Sequence, residues 1–154
     1  MGLNINKLES GLLYWMENQS PITLESITLF ADAYEDYAKD AVATSGGSLE
    51  TYNKQAVIDG LASISPGGSA GSGALLFANA LAAFWVGATL PPSVVDESID
   101  PNILISALSA VFSNISETSA NWYAEELAKA IDIGTRSVTT VNPTTTPPTE
   151  GVLI

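Results

Sequence analysis

Apolar residues in the first third of the chain recur with the spacing of an amphipathic helix. Between residues 27 and 41 they are three or four positions apart, and they are Ile27, Phe30, Tyr34, Tyr37 and Ala41. A helix places residues with this spacing on one face, so the segment predicts a helix with an apolar stripe that faces a core.

A similar segment occurs three times along the chain. It reads FADAYEDYA at residues 30–38, FANALAAFW at 77–85 and YAEELAKAI at 123–131. A shorter apolar segment precedes each copy, and in these segments Leu12, Leu61 and Leu108 correspond and follow Gly11, Gly60 and Ala107. Spacings of about 46 or 47 residues are typical of helical repeats, so we predict three helix–loop–helix units in which small residues permit close helix packing. The alternative is a chance likeness between alanine-rich helices.

Turn and cap residues place the helix boundaries. We predict six helices, at residues 5–18, 21–43, 50–64, 72–89, 101–114 and 118–135. Ser20-Pro21 and Asp100-Pro101 each offer an N-cap followed by a proline in the first turn, and Ser116 is expected to cap the sixth helix. Breaks are expected in the stretches rich in Gly, Pro and Ser, at residues 45–48, 66–73 and 91–93.

The last part of the chain differs from the helical part. Residues 138–141 read VTTV and favour a strand, and residues 142–148 are rich in Thr and Pro and are expected to be extended. The chain ends in an apolar tip, which is either a frayed terminus or an arm whose Val152, Leu153 and Ile154 contact a neighbouring subunit. The predicted fold is therefore all-α: a six-helix bundle at residues 1–136, followed by an extended C-terminal arm at residues 137–154.

The charge balance limits the partners. The chain is 46% hydrophobic and 14% charged, with 17 acidic and 5 basic residues and a net charge of −12. Such a chain is repelled by the outside of DNA and by anionic membranes, so we expect no sequence-specific nucleic-acid partner. The first residues lack a basic and apolar leader, so no secretion signal is expected.

The candidate nucleophile is a serine in a glycine-rich stretch. Residues 67–71 match the letters of the G-x-S-x-G nucleophile elbow, but that elbow follows a strand and its serine needs a base, usually His. The chain has no His and no Cys, which leaves a Ser–Lys pair with Lys54 or Lys129 as the remaining option. We predict a flexible loop at this stretch, and we expect no enzymatic activity, no cofactor and no metal.

Acidic residues share one face of the second predicted helix. They are Glu25, Asp32, Asp36 and Asp40, with Glu35 nearby. Carboxylates can bind a hard cation or form an acid–base pair, but the spacing of a calcium loop is absent. We predict a solvated helix face. A narrower hypothesis is that this face lines a passage for DNA, because a negative wall keeps a polyanion from adhering.

The most apolar segment, at residues 74–90, is a candidate membrane span. It has about 17 residues, which is the short limit for a transmembrane helix, and basic flanking residues are absent. We predict instead the buried long helix of the middle unit, without contact to a membrane.

The repeated pattern of short helix, turn and FADAYEDYA, together with the Thr/Pro-rich tail, resembles small virion structural proteins of tailed bacteriophages. The likeness covers nearly the whole chain. Within that group, helical adaptor or neck proteins of head–tail connectors are similar in plan, with a helical body and an extended terminal arm. The threefold internal repeat is a departure from the better-known adaptors, and no functional residue can be transferred.

The resemblance implies a homo-oligomer that forms a ring beneath a portal, around a DNA channel that it contacts passively. It also implies contacts with portal, tail or capsid proteins, and a place in the virion after assembly in the host cytoplasm. Capsid decoration or a tail component is the alternative within the structural class. Outside that class, the alternatives are an acidic helical binding or regulatory module that mimics nucleic acid and a membrane-active, holin-like protein.

Overall fold

The computed structural model describes residues 2–18, 24–63, 70–114 and 119–154, and these ranges form helices and a sheet. The six helices are α1 (Ile5–Asn18), α2 (Leu24–Ala38), α3 (Lys54–Ala62), α4 (Ala70–Trp85), α5 (Pro101–Phe112) and α6 (Ala120–Thr135). The regular strands are β1 (Thr89–Leu90), β2 (Ser93–Glu97), β3 (Thr139–Asn142) and β4 (Thr149–Val152). The mostly helical character is confirmed, but the prediction of an all-α fold is wrong.

The chain consists of three structurally similar units, each with two helices followed by a β hairpin. We call these the first hairpin (residues 41–51), the second hairpin (88–97) and the third hairpin (138–154). The second helices of the units, α2, α4 and α6, bury the same positions, and the corresponding residues are Phe30, Phe77 and Leu127; Ala33, Ala80 and Ala130; and Tyr34, Leu81 and Ile131. The sequence repeat places Tyr123 at the position of Phe30 and Phe77, but in the structure Leu127 occupies it. The third copy is therefore shifted by one helical turn.

Similar caps begin the first helix of every unit. The side-chain oxygens of Asn4, Asn53 and Asp100 accept hydrogen bonds from backbone N–H groups of the following turn, at 2.9 to 3.0 Å. Each bond satisfies a donor that the helix itself leaves open. The Asp100-Pro101 cap is confirmed, whereas Ser20-Pro21 and Ser116 lie outside the described residues. Ser119 caps α6 and accepts from the Trp122 N–H.

Glycines bring the helices of a unit close together. A Cβ atom at Gly11 would lie 2.9 Å from the Ala33 Cβ, and one at Gly60 would lie 2.6 Å from the Ala80 Cβ. Ala33 and Ala80 occupy corresponding positions. The packing of α1 against α2 therefore has the same close contact as the packing of α3 against α4. The prediction that small residues permit this approach is confirmed for these two units.

The six helices form a closed ring. Each helix contacts the next along the chain, and α6 contacts α1. One side chain from each unit meets at the centre: the Trp85 Nε1–H donates to the Tyr34 hydroxyl at 2.7 Å, and that hydroxyl lies 3.0 Å from the Thr135 Oγ1. We call these three residues the central cluster, and all are fully buried.

The strands also close on themselves. Strands β1, β2, β3 and β4 pair antiparallel in that order, and isolated bridges join the first hairpin to both others, through Thr51 with Thr89 and Ala43 with Leu153. Inside the closed sheet, the Ser45 Oγ lies 2.8 Å from both the Ser93 Oγ and the Thr140 Oγ1. These three hydroxyls come from three different hairpins, so the sheet follows the same threefold arrangement as the helices.

The predicted extended C-terminal arm is wrong, because residues 138–154 form the third hairpin of the same body. Strand β3 pairs with β4, and Ile154 exchanges two backbone hydrogen bonds with Val42, at 2.9 and 3.2 Å. Leu153 is only 2% exposed and lies in the common core. The proposed division into a domain at residues 1–136 and a separate arm at 137–154 therefore does not describe the packing.

Several helices end earlier than predicted. The predicted helices at 21–43 and 72–89 end at Ala38 and Trp85, because the following residues enter hairpins. The breaks at 45–48 and 91–93 are confirmed as hairpin turns. The break at 66–73 is partly wrong, since Ala70 begins α4, and residues 64–69 lie outside the described ranges.

The apolar segment at residues 74–90 is divided between α4 and β1. Its residues Ala74, Ala78, Leu81, Phe84 and Trp85 are fully buried, which matches the expected middle helix. Among the described helices, none combines the length and the apolar composition needed to cross a bilayer.

Candidate functional site

The two lysines considered as partners for a serine nucleophile are engaged with carboxylates. Lys54 donates to Asp32 and, at 2.8 Å, to Glu35, while Lys129 donates to Glu125 and Glu126. Burial lowers the pKa of Lys54, but these hydrogen bonds outweigh burial and raise it above its ordinary value. The bonds from Lys129 likewise raise its pKa. Both amines are thus engaged with carboxylates, and residues 67–69 of the elbow motif lie outside the described ranges.

Acidic residues of α2 and of the turn that follows it bind cations of the neighbouring helices. Asp32 and Glu35 contact Lys54 at the start of α3, and Asp40 contacts Lys7 of α1 at 3.0 Å. Asp36 is exposed. The predicted solvated face is therefore partly an ion-paired seam, and in the described part of the chain no cluster of carboxylates is arranged to hold a metal ion.

Glu35 is the carboxylate of this seam with the most partners. It accepts from Lys54 and from the Tyr52 hydroxyl, the latter at 2.7 Å, and Lys39 lies 3.5 Å away. Burial raises the pKa of Glu35, but the hydrogen bonds from Lys54 and Tyr52 and the charges of Lys54 and Lys39 outweigh burial, so that the net pKa is lowered. Glu35 is thus held ionised and unsuited to acid–base catalysis.

Buried tyrosines join the units but cannot transfer protons near neutral pH. Burial raises the pKa of Tyr34 well above its ordinary value. Burial and the hydrogen bond to Asp132 raise the pKa of Tyr37 in the same direction. Asp132 also binds Arg136 at 2.9 Å, so Tyr37 links α2 to an ion pair on α6. The arrangement fixes helices relative to one another.

An open, acidic groove of about 500 Å³ runs over the sheet. Its lining residues are Asp96, Glu97, Thr139, Thr140, Glu150, Gly151 and Val152. The three carboxylates are exposed, and the lining includes no basic residue. Sequence reasoning missed this groove because β2 and β4 are distant along the chain and meet only through β3.

The predicted interface residues are divided between core and surface. Leu153 fills the core of its own chain, whereas Val152 and Ile154 are 43% and 47% exposed. Val152 also lines the acidic groove. Contact with another subunit stays a prediction, and only Val152 and Ile154 are accessible for it.

Comparisons with known proteins give no relatives for this arrangement. No protein-family model, no curated protein and no solved structure matches the chain.

Proposed function

We propose that the chain is a structural protein of a tailed-bacteriophage virion, most specifically an adaptor of the neck at the head–tail connector. The observation that carries the proposal is the double closure of the fold, in which a ring of six helices and a ring of hairpins share one core. Such a body resists local opening, because no unit can leave without exposing residues that the other two bury. Rigidity of this kind suits a building block that transmits force and keeps its shape.

The chemistry of the described residues supports an inert role. Every buried side-chain polar atom in the described ranges has a hydrogen-bond partner. The lysines of the α1–α2–α3 seam are ion-paired, and Lys54 and Lys129, the lysines considered for a Ser–Lys mechanism, both contact carboxylates. A reactive cleft requires a nucleophile beside a free base, and the described residues do not bring such groups together.

The net charge of −12 supports a position around a DNA passage. A negative wall repels a polyanion over a distance of about 8 Å at physiological salt, which lets DNA slide past without adhering. In this proposal copies of the chain form a ring in the virion and contact portal, tail or capsid proteins. A capsid decoration protein or a tail component is the alternative position.

The test is to locate the chain in purified particles of the phage that encodes it. We expect mass spectrometry to find it in density-purified virions, and immunogold labelling to mark the junction between head and tail. Antibody absorbed with the purified protein provides the control for labelling. Label on the head surface or along the tail would select the alternative positions, and absence from purified particles despite abundance in the infected lysate would refute the proposal.

The acidic groove favours one second candidate, a module that binds a basic partner. Asp96, Glu97 and Glu150 form one negative surface around it. Affinity capture from infected cells would compare the natural chain with the Asp96→Asn, Glu97→Gln, Glu150→Gln variant. A basic host protein that binds only the natural chain would support this candidate, whereas capture of virion proteins by both chains would count against it.

A further inference from the structure

Helices α4 and α5 contain no charged residue. Residues 60–95 and 101–116 contain no Asp, Glu, Lys or Arg, although the chain has 22 such residues in total, 17 acidic and 5 basic. Helices α4 and α5 belong to these two segments and pack against each other. We call their outward surface the α4–α5 face.

The threefold repeat supplies an internal comparison for this face. In the register that aligns Phe30, Phe77 and Leu127, the outward positions of α2 hold Thr28, Asp32, Asp36 and Lys39. The same positions of α6 hold Glu125, Lys129, Ile133 and Arg136. In α4 they hold Leu75, Asn79, Ala83 and Val86. Since two units place mostly charged residues at these positions, folding does not require the apolar residues of α4.

The apolar side chains of this face are substantially exposed. Leu75 is 46% exposed, Val86 is 69% exposed, and Ile103 in the first turn of α5 is 41% exposed. On α1 the position that corresponds to Ile103 holds Lys7, because Leu8 and Leu104 are equivalent core residues. The face joins α4 of the second unit to α5 of the third, and it is uncharged where α2, α6 and α1 hold mostly charged residues. An exposed apolar face of this kind is a candidate contact surface.

We propose that the α4–α5 face binds the same face of a second copy of this chain. Two copies with a net charge of −12 repel each other, and a contact that includes the charged helices would have to desolvate their carboxylates and ion pairs. The α4–α5 face carries no charge that would select a basic or an acidic partner, and it is complementary to another uncharged face. A twofold axis brings such a surface against itself.

The size of the face sets the strength of the contact. A helix of 16 residues is about 24 Å long, and two adjacent helices are about 20 Å wide, which gives roughly 500 Å² per copy. A total of about 1,000 Å² is at the low end of specific interfaces, so the isolated pair associates weakly and reversibly. The inference rests on the proposed function, because a building block must bind its neighbours. A twofold contact joins two copies and closes on itself, so this face pairs copies, and the contacts around the ring use other surfaces.

The test replaces exposed residues of α4 by the residues that α2 holds at the same positions and measures self-association. In the variant Leu75→Thr, Asn79→Asp, Val86→Lys, each new residue is the one that α2 holds at the same position. The matched control is Ile133→Asp, which replaces a 55% exposed apolar residue of α6 by the residue of α2 at that position. Sedimentation velocity of the full chains over a concentration series measures association, and far-ultraviolet circular dichroism checks the fold.

We expect the natural chain and the control to self-associate and the triple variant to bind at least about tenfold more weakly. If the triple variant misfolds, Val86→Lys alone in the turn after α4 must still weaken association. A natural chain that stays monomeric, or variants that associate as strongly as it does, would overturn the inference. The association measurements do not depend on whether the chain is found in virions. If the chain is present in virions but the α4 substitutions leave its self-association unchanged, the contact through the α4–α5 face is refuted and the proposed virion role is not.

Discussion

Gly47 turns the first hairpin against the second, in a conformation that disfavours any other residue. Its φ angle is +105°, and a Cβ atom would overlap the carbonyl oxygens of Leu90 and Pro91. We expect Gly47→Ala to lower the free energy of unfolding by ~2 kcal/mol or more, because the backbone is strained and the hairpins must separate. Urea denaturation followed by circular dichroism measures the change.

Gly73 provides the matched control for Gly47. It lies inside α4, and outside its own helix backbone and chain neighbours no atom of the described residues would come within 4 Å of an added Cβ. Gly73→Ala should raise the free energy of unfolding by ~0.5–1 kcal/mol, because alanine favours the helix. Equal effects of the two substitutions would contradict the assigned role of Gly47.

The ionised form of Glu35 is expected to stabilise the fold in a pH-dependent way. Its folded-state pKa is lowered, so in the acid range the unfolded chain binds protons more readily than the folded chain, and stability rises with pH. The contribution of Glu35 is present above the unfolded pKa of about 4.3 and is lost as the pH falls through the folded value. Denaturant unfolding at a series of acid pH values should show a smaller loss for Glu35→Gln than for the natural chain. The exposed Glu25→Gln serves as the control, and an identical acid profile for Glu35→Gln would disprove the role.

Local signals at single residues were predictable, whereas their distant partners were not. The Asp100 cap is readable because cap and proline are adjacent, and the Gly46-Gly47 turn is readable from composition. That Gly47 packs on Leu90, or that Lys54 binds Asp32 and Glu35, depends on how the units are arranged in space. Periodicity within one helix carries no information about that arrangement.

At the scale of elements, the third hairpin should contribute to stability through Leu153. We expect Leu153→Ala to lower the free energy of unfolding by ~2–5 kcal/mol, because it leaves a cavity in the common core. Val152→Ala, at the adjacent exposed position, should change it little. Chemical denaturation of the two variants side by side measures the difference, and similar small effects would mean that the third hairpin is not part of the core.

Helix periodicity located all six helices, but it overlooked most of the sheet. Residues 41–44 and 89–90 are too short to show the alternation of a strand, and each segment pairs both within its own hairpin and with another hairpin. Only residues 138–141 are rich enough in β-branched residues to indicate a strand. The arm was misassigned for the same reason: an extended Thr/Pro-rich segment is consistent with pairing inside the chain and with pairing outside it, and the sequence does not distinguish the two.

At the scale of the whole molecule, the repeat was predictable and its closure was not. Three units in a row can stack as an open superhelix or close into a ring, and the sequence signals for the two are alike. The structure is a closed ring, because α6 contacts α1 and Ala43 pairs with Leu153, so that the last unit packs against the first. The acidic groove and the α4–α5 face both lie where the second unit meets the third, so the pattern within a single unit does not reveal them.

Closure predicts that the three units unfold together. The central cluster takes Tyr34 from the first unit, Trp85 from the second and Thr135 from the third, so loss of any unit leaves buried polar groups of the others unpaired. We expect the near-ultraviolet dichroism of the aromatic residues and the far-ultraviolet signal of the helices to give coincident denaturation curves. Leu153→Ala should shift both curves by the same amount, although the substitution lies in the third hairpin. Separate transitions, with the aromatic signal lost first, would show that the central cluster loosens before the helices unfold. The chain would then behave as a row of repeats, and a rigid adaptor would be an unsuitable role for it.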